Sequence, residues 1–189
     1  MRSIPAIFLT AVLAAPAFTA EAPSLAKVFD GQLAGAEREI VALAEAMPAD
    51  KYDFAPTHGQ FAGVRNFREQ VTHIATAMYT LSATAQGQKP SVDPGKDENG
   101  PANITTKEQA VQFLKDAFAA GHTAILTLTP ENQLDMVKNP FGSGERPRVS
   151  LLLTMLSHNF DHYGQMVEYA RMNGVIPPAS LPRPPAKKK

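Results

Sequence analysis

The chain has 189 residues, with 18 acidic and 18 basic side chains and a formal net charge of zero. That balance gives no field favouring nucleic acid or an anionic membrane surface. Cysteine is absent, which excludes disulfides, thiolate metal sites and a cysteine nucleophile, so any metal must be held by nitrogen and oxygen.

The chain opens with "MRSIPAIFLTAVLAAPAFTA", where Arg2 precedes an apolar run ending in small residues. This is the layout of a secretory signal peptide over residues 1–20, with cleavage expected to leave a mature N-terminus between Phe18 and Pro23. The run is short for a membrane span, and no later stretch is apolar enough for one. The expected protein is therefore exported, periplasmic or secreted from a bacterium, with no stable membrane span after processing.

A first helix is predicted from Ser24, a suitable N-cap, through "LAKVFDGQLAGAEREIVALAEAM". A second starts at Asn66, where Glu69 can complete a capping box, and ends at Gly87. Residues 86–103, "QGQKPSVDPGKDENGPAN", form a polar, Pro/Gly-rich link. The third helix is announced by Thr105 as cap with Glu108 as partner, and runs to about Leu128. "PENQLDMVKNPFGSGER" reads as a loop, and Pro147 suits the first turn of a fourth helix ending at Arg171 or Met172 before Gly174. The fold class is all-α: a four-helix bundle over residues 24–176, followed by a Pro/Lys-rich tail over residues 177–189. The long second link can cross the length of a bundle, which makes helices two and three parallel.

Five histidines are present: His58, His73, His122, His158 and His162. His158 and His162 are one helical turn apart, so both rings can point the same way. At about 100° per residue, Leu152, Leu156, Phe160, Tyr163 and Val167 form the apolar stripe of the fourth helix. The two histidines lie on its flank, beside Met155, Met166 and Tyr169. His73 lies off the stripe of Phe67, Val71, Ile74 and Met78, on a side with Asn66, Gln70, Ala77 and Thr80. By spacing alone, all three fit either surface histidines or ligands. His58 and His122 read as solvated. A di-iron bundle requires Glu-x-x-His pairs; Glu69 and His73 are four apart, and the fourth helix has no such glutamate. The H-x-x-E-H protease pattern would have Asp161 in the glutamate's place.

Three stretches resemble the DinB/YfiT-like family of four-helix metalloenzyme-type proteins. "AMPADKYDFAPTHG" is similar to the family's link after helix one. "NFREQVTHIATAMY" is similar to its second helix, and "LLLTMLSHNFDHYGQMVEYARMNGVIPPAS" to its last. The family histidines fall on His73, His158 and His162, and its glycine and glutamine on Gly164 and Gln165. The resemblance implies parallel helices two and three, a divalent metal on the three histidines, and a homodimer. Imidazole ligands suit zinc, nickel, copper or iron; zinc or nickel is expected first, with iron or manganese as further ions. Some members are thiol S-transferases. The expected function is an exported, metal-dependent enzyme acting on a small molecule by activating water. A thiol-dependent S-transferase or a non-catalytic metal-binding or sensing bundle is the alternative. Glu69, one turn before His73, is the expected proton acceptor. Gln165 is expected to orient a ligand or substrate, and Tyr163 is a further polar candidate.

Overall fold

A computed structural model describes residues 22–182. The expected signal peptide and residues 183–189 of the tail lie outside the described residues. Four helices carry the chain: α1 (Leu25–Ala46), α2 (Phe67–Ala85), α3 (Lys107–Leu126) and α4 (Arg148–Met172). A short antiparallel pair, β1 (Met136–Lys138) and β2 (Glu145–Pro147), precedes α4. Among the described residues, no helix is long and apolar enough to cross a membrane.

The helix starts follow local chemistry. Ser24 caps α1 by accepting from the Lys27 amide. Asn66 and Glu69 close a reciprocal capping box at α2, satisfying two amides left without helical partners. At α3 the expected register is off by one. Thr106 is the N-cap and Gln109 its partner, because the Gln109 carboxamide oxygen also takes the Thr105 amide. The predicted loop after α3 contains a hairpin, with Val137 opposite Arg146 and the Asn139 amide donating to the Gly144 carbonyl. Its three-residue strands are too short to show an alternating pattern.

The core is built from fully buried Leu33, Ile40 and Leu43 of α1, Phe67, Ile74 and Met78 of α2, Leu114 and Phe118 of α3, and Leu151 and Met155 of α4. α2 packs on both α3 and α4, and so does α1. All four helices meet at Gly121. A Cβ there would lie 3.0 Å from Leu33 Cδ2, 3.1 Å from Met78 Cε and 3.4 Å from Met155 Sδ. The missing side chain is what lets them approach.

Two features of this packing position the site. Every residue of α2 from Gln70 to Met78 is buried, polar ones included. α3 and α4 cover part of that surface, and the link between α2 and α3 presses on the rest. The link is fixed by the Gly100 amide donating to the Pro94 carbonyl at 2.8 Å and by Arg68 Nη1 donating to the Ile104 carbonyl at 3.3 Å. Gly100 (φ +85°) lies so close to α2 that a Cβ would come within 2.9 Å of Thr76 Oγ1. The second feature corrects the α4 stripe. Its buried face runs through Leu152, Met155, Leu156, Asn159, His162, Met166 and Tyr169, while Phe160 is 44% exposed. Asn159 and His162 are polar, so apolar patterning alone sets the stripe about one residue off; the true face turns the histidines inward against α2.

Candidate metal centre

The three expected histidines converge. One potential ligand atom from each of His73, His158 and His162 lies within 4.8 Å of the others. Among the described residues no other group of histidine and acidic side chains does so. The ring centroids are 4.4 to 5.0 Å apart, and His73 Nε2 is 3.1 Å from His158 Nε2. Two nitrogens each about 2.0–2.1 Å from one ion would be separated by about this distance at tetrahedral or octahedral angles. His73 and His162 are buried and His158 is partly buried.

Their outer contacts select the free nitrogens. His73 Nδ1 is 2.9 Å from the Glu98 carbonyl, an acceptor only, so Nδ1 carries the proton and Nε2 keeps its lone pair. His162 Nδ1 donates to Gln70 Oε1 at 2.7 Å, while Gln70 Nε2 donates to Gln165 Oε1 at 3.0 Å. Such acceptors behind a ligand histidine fix its tautomer and ring orientation. His158 Nδ1 is buried without a partner. Burial, and then the neighbouring imidazole His73, push His158 down to about 4. Burial and the other two rings push His162 down to about 3. Burial also lowers His73, against the Glu98 carbonyl, which raises it. All three rings are neutral at pH 7, the form that binds a cation. The donor set therefore fits a divalent ion: neutral nitrogens, two with their protons held on the far side, at ligand-to-ligand spacing.

Glu98 and Gln70 contact the triad directly, and sequence reasoning did not assign them. Gln70 appears there only as a polar neighbour of His73, and its partner is 92 residues away in the chain. Glu98 acts through its backbone, which no residue type reveals. It and Asp97 have left-handed φ values of 60° and 54°, an uncommon state for residues other than glycine. Arg65 holds this turn, with Nε donating to Asn99 Oδ1 at 2.7 Å and Nη2 to the Asp97 carbonyl at 2.6 Å. The link expected to serve as a crossover thus also supports one of the three histidines, His73.

Glu69 and Gln165 line one polar cavity of about 500 Å³ with Arg65, Gln70, Asp97 and Asn99. One Glu69 oxygen accepts the Asn66 amide in the capping box at 2.9 Å. Gln165 reaches the triad through Gln70. Tyr163 is turned toward Glu39 on α1, and His58 is exposed. His122, read as solvated, is partly buried between Asp30 (2.5 Å) and Glu37 (3.3 Å) of α1, apart from the triad. Gly164 lies on the exposed face of α4 with nothing near the position of a Cβ.

A family model described as the DinB superfamily matches residues 32–166. A solved DinB-like protein from Bacillus cereus ATCC 10987 superposes with a TM-score of 0.63 at 18% identity, over 80% of this chain and 95% of that one. The DinB-like protein YjoA from Bacillus subtilis gives the same TM-score and identity, over 82% of this chain and 96% of that one. No curated protein matches.

Proposed function

Because this chain belongs to the DinB superfamily, we propose that its three histidines hold one divalent metal ion in a metal-dependent enzyme of the hydrolytic type. The observation that carries the reading is the convergence of three neutral imidazoles, two of them with Nδ1 bonded to acceptors behind the site. Three protein ligands leave coordination positions for other groups, the pattern of catalytic rather than structural sites. When bound, such an ion supplies Lewis acidity without the charge neutralisation that carboxylate ligands would bring. Zinc or nickel suits this donor set first, with iron or manganese as further ions.

The chain's own residues do the rest. The Glu98 carbonyl and Gln70 hold the Nδ1 protons of His73 and His162. Gln165 holds Gln70. Glu69, in the polar cavity beside Gln70 and Gln165, is the proton acceptor, using the oxygen not engaged by Asn66. Helices α2 and α3 run parallel; the contacts of Arg68 with Ile104 and of Tyr79 with Phe113 support this arrangement. The leader-like residues 1–20 support export, which favours water over a cytosolic thiol as nucleophile; mass spectrometry of the processed N-terminus checks it.

The test is a screen of metal-loaded protein against ester, amide and phosphoester substrates, and against electrophiles with added thiol, with His158→Ala as the blank. Turnover of the first set supports hydrolysis. Turnover only with thiol replaces it with S-transfer, and no turnover in either set leaves a binding or sensing protein.

A further inference from the structure

We propose that a trough between α2, the α2–α3 link and the β-hairpin binds a small molecule with an apolar body and one anionic group. Two cavities of about 570 and 530 Å³ adjoin there. They share Thr80, Lys89, Pro90, Lys138 and Pro140, so they form one continuous depression. Each is of a size usual for small-ligand sites, about 300–1,000 Å³.

The lining sets the ligand class. Met136 and Phe141 of the hairpin region contribute apolar wall while remaining 54% and 47% exposed. Thr76 and Thr84 on the floor donate their hydroxyls to carbonyls of their own helix, at 2.8 Å each, and so offer a ligand no free donor. The charged groups are Lys89 and Lys138, which line both cavities, and Glu98, which lines one. Two cations against one carboxylate leave the lining net positive. Neither lysine forms an ion pair among the described residues. An apolar wall with two unpaired ammonium groups complements an amphipathic anion and opposes an amphipathic cation.

The trough also reaches the support of the triad. Thr76 and Ala77 occupy the turn after His73, and Glu98 is the residue whose carbonyl accepts from His73. A molecule anchored at Lys89 and Lys138 would extend along α2 toward the histidines. Binding in the trough needs no metal, so it is measured apart from the metal reading.

Decanoate is the probe, titrated calorimetrically into the purified protein, metal-free and zinc-loaded, and into His158→Ala. Saturable binding of one decanoate per chain is expected in all three, with decylammonium binding more weakly. The pair Lys89→Glu and Lys138→Glu should weaken decanoate by about tenfold, the scale of two reversed exposed charges, and should improve decylammonium. Thr80→Trp, with helix content checked by circular dichroism, should remove both ligands by filling the trough. No saturable decanoate binding, or binding unchanged in the double variant, overturns the proposal. So does a dimer that Thr80→Trp dissociates in protein that binds no decanoate, which would assign the trough to a second copy. Wild-type protein that takes up no zinc yet binds decanoate would refute the metal reading alone.

Discussion

His73 Nε2 and His158 Nε2 lie 3.1 Å apart, and His73 keeps its proton on the other nitrogen. Without metal, the group able to donate across this gap is His158 Nε2–H. That assignment agrees with His158 Nδ1 having no partner to hold a proton. His73 and His162 are thus set in the ligand tautomer, and His158 has to change. Nitrogen NMR of the metal-free protein should show Nδ1–H for His73 and His162 and Nε2–H for His158. Loading with zinc should convert His158 alone. A His158 already in the Nδ1–H form would contradict this assignment.

Gln70 should matter for metal affinity although it is no ligand. Gln70→Leu keeps the volume nearly constant and removes the acceptor of the His162 Nδ1 proton. Loss of such a supporting contact lowers metal affinity by about 10- to 100-fold. Chelator competition checks it, with circular dichroism to show that the helices survive. Affinity unchanged by Gln70→Leu would mean that packing alone orients His162.

The depressed histidines make the metal-free protein sensitive to acid. An unfolded histidine titrates near about 6.5, and the folded values of His158 and His162 lie at about 4 and about 3. Between those limits the unfolded chain binds more protons, so stability rises with pH. The contribution is fully present above the unfolded value and is lost as pH falls from there through the folded values. Denaturant midpoints of wild type should fall as pH is lowered from 7 to 4, more steeply than those of the double variant His158→Ala, His162→Ala. Parallel curves would remove this explanation. Metal occupancy should likewise persist to a lower pH than for an exposed histidine.

Gly164 gives a test of assembly. It sits inside α4, exposed, with no atom close enough to meet a Cβ. In a monomer, Gly164→Ala should raise stability by about 0.5–1 kcal/mol through reduced backbone entropy in the unfolded chain. Thermal or denaturant unfolding measures this. A decrease, accompanied by dissociation in sedimentation, would instead place this face in the homodimer that the family resemblance implies.

Much of this site is legible in the sequence, and the rest is not for definable reasons. Asn66 and Glu69 announce α2 because a capping box is local, and the i,i+4 spacing of His158 and His162 is local too. At α3, Glu108 and Gln109 compete for one role, and only the backbone geometry at Thr106 decides. On α4, apolar patterning leaves Asn159 and His162 off the core face although both are buried there. Gln70 and the Glu98 carbonyl act across 92 and 25 residues of chain. The second acts through a backbone atom, which sequence patterns do not distinguish. The compression of the link onto α2 at Gly100 follows from packing rather than from its polar, Pro/Gly-rich composition.

The central claim is that His73, His158 and His162 together bind one divalent ion. Equilibrium dialysis against zinc and against nickel, followed by elemental analysis, measures it most directly on wild type, the three single alanine variants and the triple variant. The account predicts one ion per chain for wild type, sharply weakened binding in each single variant, and none in the triple variant, with helix content retained throughout. One tightly held ion per chain in the triple variant would contradict it.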